Sequence, residues 1–90
     1  MVIIVYDIPD NKRRNNLSNF LEGYGNRVQF SVFECFLTLS EMKDLFEKVK
    51  KKVKTSEDNV RFYWISSNAT SQILTLGSQP PEAPPKSYII

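Results

Sequence analysis

Two carboxylates and three cations crowd the stretch VYDIPDNKRRNN, where Asp7 ends an apolar run and Asp10, Lys12, Arg13 and Arg14 follow. A carboxylate at the mouth of a buried strand stands where apolar backbone gives way to solvent. Oxygen donors there suit a hard cation such as magnesium, which keeps several waters and often takes one or two carboxylates. One aspartate per chain is a poor site. A two-fold axis nearby would pair Asp7 with its own copy, because isologous contacts bring a residue against itself. An ion held so would lower the pKa of a water or stabilise the leaving oxygen of a phosphodiester. The same pattern allows a plainer role for Asp7, opening a turn before Pro9. Asp10 reads as a helix N-cap, with metal ligation as the lesser alternative. Lys12, Arg13 and Arg14 fall in a first helical turn, where the macrodipole disfavours positive charge. Such a cluster asks for an anion, either a phosphate or the carboxylates of Asp7 and Asp10; a solvated surface is the alternative.

The chain's 90 residues predict one domain, with 41% hydrophobic and 24% charged residues. A core this small is marginal, and dimerisation is a common remedy. There is no histidine, which removes the commonest general base and zinc ligand together. The single cysteine, Cys35, excludes an intramolecular disulfide. A net charge of +2 does not by itself announce a polyanionic partner, so distribution has to carry that argument. The apolar run before Asp7 is too short for a signal peptide or a membrane span, and a cytoplasmic protein with no membrane partner is expected.

The positioning elements follow from periodicity. Residues 2–6 are β-branched and continuous, a short buried strand. Leu17, Phe20, Leu21 and Tyr24 recur at helical spacing, predicting a helix over 11–23 ended by Gly23 and Gly25. In RVQFSVFECFL the apolar set is Val28, Phe30 and Val32, then Phe33, Cys35 and Leu37. A period-2 pattern cannot change phase without a turn or bulge, so two strands, or one broken strand, change near Ser31. Ser40 is expected to cap a second helix whose buried face is Met42, Leu45, Phe46, Val49 and Val53. Its exposed lysines, Lys48, Lys50, Lys51, Lys52 and Lys54, read as a solvated face that a dimer could turn into a surface for duplex phosphates. After a polar loop at 55–59, Val60, Phe62 and Trp64 alternate with Arg61 and Tyr63 in a fourth strand. The order is βαββαβ, an α+β, ferredoxin-like antiparallel sheet with both helices on one face. A short fifth strand, Ile73–Leu76, follows the polar linker SSNATS and can join an edge of its own sheet or a neighbour's. The domain is thus expected over 1–77. SQPPEAPPK opens a proline-rich tail, 78–90, read as extended or disordered and ending in Tyr88-Ile89-Ile90.

Among the aromatics, Phe33, Tyr63 and Trp64 could stack bases. Core packing is the expected role of Trp64, and packing in the sheet or at a dimer interface that of Phe33. Ser31 fits a bulge beside a cleft or a plain turn. Cys35 reads as a small core residue.

Tyr6-Asp7-Ile8, Asp10, Arg13 and Arg14, Tyr24-Gly25, Arg27-Val28-Gln29, Ser31-Val32-Phe33-Glu34-Cys35 and Val60-Arg61-Phe62-Tyr63, in that order and spacing, resemble the second CRISPR-associated adaptation protein, the Cas two family. The resemblance spans about residues 1–66. It implies a ferredoxin-like homodimer and a magnesium-dependent endoribonuclease acting on single-stranded RNA, some members cutting double-stranded DNA. It also implies a partner, the integrase that is the first Cas protein, with which new spacers are captured. By this resemblance Asp7 is the metal-binding and catalytic aspartate. Arg13 or Arg14, Arg27 and Ser31 are the nucleic-acid-binding positions, and Phe33 serves the dimer interface or stacking. A non-catalytic adaptor dimer bridging duplex DNA and the integrase is the competing implication. A small-molecule regulatory module is a third reading, since this fold hosts many functions, but no glycine-rich phosphate loop supports it.

Overall fold

The computed structural model describes residues 1–65 and 71–77, with backbone alone for 71–75. The elements run β1 (Val2–Asp7), α1 (Asn11–Leu21), β2 (Asn26–Gln29), β3 (Val32–Cys35), α2 (Leu39–Lys50), β4 (Asn59–Ile65) and β5 (Ser71–Leu76). The strands form one sheet in the order β2-β3-β1-β4-β5, and every neighbouring pair is antiparallel. The expected βαββαβ arrangement is present. β5 extends it at the free edge of β4 in the same chain, Val60 opposite Leu76, which answers where the fifth strand goes within one chain. The linker SSNATS, apart from Ser71, and the proline-rich tail lie outside the described residues.

β1 is central, and its alternation separates two apolar layers. Val2, Ile4 and Tyr6 join Phe33, Cys35, Val60 and Phe62 under Leu17 and Leu21 of α1 and Met42, Leu45 and Val49 of α2. Both helices therefore cover one face. Ile3, Val32 and Tyr63 form a second, smaller cluster on the opposite face, with Met1, Val5 and Ile65 packed against it. By the same alternation Asp7 belongs to that second face.

Three local expectations change. The N-cap of α2 is Thr38, not Ser40: its hydroxyl accepts from the Glu41 amide at 3.1 Å, and Glu41 accepts from the Thr38 amide at 2.8 Å. That reciprocal capping box starts the helix a residue before Ser40 and holds the Glu41 carboxyl below its ordinary pKa, chiefly through the Thr38 amide. α1 ends at Leu21 on a right-handed cap, Glu22, so neither Gly23 nor Gly25 supplies a left-handed turn. Gly25 is needed for space instead: a Cβ there would lie 2.3 Å from the Glu34 carbonyl oxygen and 2.5 Å from the Cys35 sulfur. Finally, Val28 and Phe30 do not face the core. β2 is an edge strand exposed along its length, and Val28 and Phe30 are 40% and 75% exposed. The phase change is a tight turn at Phe30-Ser31, with Ser31 at φ 64°, while the irregular register lies earlier, between Arg27 and Gln29. Of the two roles open to Ser31, the turn is realised.

Candidate metal and nucleic-acid site

Asp7 closes β1 opposite Asn59 of β4. Its side chain is exposed and makes no hydrogen bond or ion pair among the described residues. Directly opposed residues of an antiparallel pair share a face with Cβ atoms about 5 Å apart, so Asn59 lies beside it. The Asn59 Nδ2 is buried with no acceptor among the described residues. On the other side of β1, the Tyr6 amide donates to the Ser31 carbonyl at 3.1 Å, fixing the Phe30-Ser31 turn against the end of the strand.

Helix α1 begins four residues after Asp7. Asp10 caps it as expected, accepting from the Arg13 amide at 2.8 Å. Arg14 reaches back, its Nη1 donating to the Ile8 carbonyl at 3.0 Å and its Nη2 to Asn11 Oδ1. Its guanidinium lies 5.8 Å from the centre of the Phe30 ring. Asp7, Arg14, Ser31, Phe30 and Asn59 thus gather at one end of the sheet.

The other expected residues are occupied differently. Arg13 makes a two-pronged bond to Asp58, Nε to Oδ2 and Nη2 to Oδ1 both at 2.9 Å, and a third to Glu57 at 3.0 Å. The anion that Arg13 meets is this pair from the loop before β4, not Asp7. Asp58 is almost fully buried, and it also accepts from the Lys54 amide at 2.8 Å. Burial alone would raise its carboxyl; the Arg13 and Lys54 hydrogen bonds outweigh that and hold it below the ordinary value. Arg27 stands further down the edge strand, donating to Ser18 Oγ and lying 5.7 Å over the Phe33 ring. Phe33 has no exposed surface and stacks near Tyr6 with ring centres 6.2 Å apart. It packs in the sheet, one of the two places expected of it, and in the single chain it has no open face on which a base could stack. Of the lysines, Lys52 covers the Phe20 ring at 4.4 Å, Lys48 bonds the Tyr24 hydroxyl at 3.3 Å, and Lys50 and Lys54 pair with Glu47 and Glu57. Cys35 is buried, its thiol pushed up to about 11, and so is a neutral core residue at ordinary pH.

Sequence reasoning missed Asp58, Asn59 and Phe30. Nothing in the chain ties Asp58 to a cation 45 residues earlier. For Phe30 a signal existed: residues preceding the phase change belong to the outer strand.

With this geometry in view, comparison with known proteins is decisive. The family model described as CRISPR associated protein Cas2 matches residues 1–73. The chain belongs to the Cas2 family. The CRISPR-associated endoribonuclease Cas2 3 of Synechocystis is 42% identical over 100% of this chain and 98% of its own length. The CRISPR-associated endonuclease Cas2 2 of Thermus thermophilus is 38% identical over 86% of this chain and 83% of its own. Among solved structures, Streptococcus pyogenes Cas2 at pH 6.5 aligns with a TM-score of 0.67 and 32% identity, covering 74% of this chain and 87% of that one.

Proposed function

We propose that this Cas2 chain is a magnesium-dependent endoribonuclease of single-stranded RNA that works as a homodimer, its two Asp7 carboxylates meeting at the two-fold axis. The observation that carries the reading is Asp7 itself: an exposed carboxylate without a partner among the described residues, ending the central strand on the face the helices leave uncovered. Ile3, Val32 and Tyr63 are buried on that face, and the partly exposed Met1, Val5 and Ile65 packed against them leave apolar surface on which a second copy can pack. Two copies related by an axis near its end would supply the second carboxylate that one chain lacks.

The residues fit a magnesium ion. Asp7 offers hard carboxylate oxygens, and two copies would offer two carboxylates, which suits an ion that takes few of them and keeps its waters; among the described residues no group of three His, Cys, Asp or Glu gathers in one chain. When bound, magnesium would supply Lewis-acid stabilisation of a phosphodiester oxygen and a more acidic attacking water. Asp7 would hold and orient that centre. Arg14 uses two of its five N–H donors within the chain, and the rest can meet backbone phosphate. The relatives' names, endoribonuclease and endonuclease, support a phosphodiester substrate.

Substituting Asp7→Asn should reduce RNA cleavage to that of wild type in chelator, with the dimer intact. Metal-dependent cleavage persisting in a nuclease-free Asp7→Asn preparation would refute the catalytic role. The second reading, an adaptor dimer that bridges duplex DNA and the integrase during spacer acquisition, is favoured by the single carboxylate per chain. It predicts duplex binding and integrase co-purification that Asp7→Asn leaves unchanged.

A further inference from the structure

We propose that Phe30, backed by Arg14, is a stacking platform for an unpaired base of single-stranded RNA entering the Asp7 site. The proposal rests on the reading of Asp7 as a phosphodiester site and adds a substrate-positioning residue to it. Phe30 occupies the tip of the β2–β3 hairpin and is 75% exposed. The Arg14 guanidinium lies 5.8 Å from the ring centre, and its Nη1 is bound to the carbonyl of Ile8, the residue after Asp7. The turn is fixed to β1 by the bond from Tyr6 to Ser31. Ring and cation are therefore anchored to the backbone on either side of Asp7, at Tyr6 and Ile8.

A single exposed apolar side chain is ordinary, and the chain offers its own comparison. Phe36 is 79% exposed but follows Cys35, which pairs with Val2 at the opposite end of β1, and no cation covers it among the described residues. Phe30 differs on both counts. A cation on one face of an aromatic ring, with the rest of the ring open, suits a flat, electron-rich base whose phosphate finds positive charge next door. Bases within a duplex are already stacked and paired, so the platform selects single strands.

The test measures affinity by fluorescence anisotropy for a single-stranded RNA carrying 2-aminopurine and for a duplex DNA of equal length. Phe30→Leu should weaken RNA binding roughly five- to a hundredfold and abolish the stacking-induced quenching of 2-aminopurine. Phe30→Trp should retain both. Phe36→Leu should behave as wild type, and duplex affinity should be unchanged in all three. RNA binding by Phe30→Leu equal to wild type overturns the platform while leaving the Asp7 reading standing. Dissociation of the Phe30→Leu dimer in sedimentation also overturns it, by giving the ring to a second copy. Failure of wild type to bind single-stranded RNA at all removes both.

Discussion

Arg13 and Asp58 resolve an electrostatic conflict within one helical turn. Cations at a helix start oppose the macrodipole, and α1 has no acidic residue in its first turn. A buried carboxylate carries the opposite problem, a desolvation cost repaid only by good partners. Each answers the other, and the bond ties α1 to the loop that launches β4, beside Asn59. Asp58→Ala should therefore destabilise the fold by about 2–4 kcal/mol in urea unfolding. The pH dependence has a definite sign. The Asp58 carboxyl is held lower in the folded chain than in the unfolded one, so its contribution is present above the unfolded value, about 4, and is lost as pH falls through the folded value. Asp58→Asn should flatten the fall in urea midpoint below about pH 4. The sequence made the need for an anion legible, but its source was not: proximity of residues 13 and 58 is created by the sheet, not by spacing.

At the scale of elements, periodicity was legible wherever one pattern ran unbroken. β1, the apolar face of α1, the buried positions of α2 and the alternation of β4 are as expected, because each helix stripe meets one packed layer and the two central strands meet one on each face. The readings that changed sit at junctions. Val28 and Phe30 looked like core because alternation does not distinguish an edge strand from a central one. Ser40 looked like a cap because a hydroxyl precedes the helical stripe, yet Thr38 lies three residues before Glu41 and completes both bonds of a capping box. Thr38→Ala should accordingly cost about 1 kcal/mol of stability, while Ser40→Ala, an exposed first-turn change, should shift the urea midpoint little. Equal losses from the two substitutions would return the cap to Ser40.

Over the whole molecule, the two faces of the sheet divide the work. One carries the helices and most of the buried side chains; the other carries a smaller apolar cluster with Asp7 at its end. The acid in VYDIP could be recognised as chemically misplaced from sequence, and the family resemblance gave it a role. That its side chain has no bonding partner among the described residues required the structure. That isolation makes stoichiometry the sharpest question. Titrating the protein with manganese in place of magnesium, followed by calorimetry, counts the ions directly. The account predicts one ion for every two chains and no uptake by Asp7→Asn. One ion per chain, or uptake that survives Asp7→Asn, would contradict it.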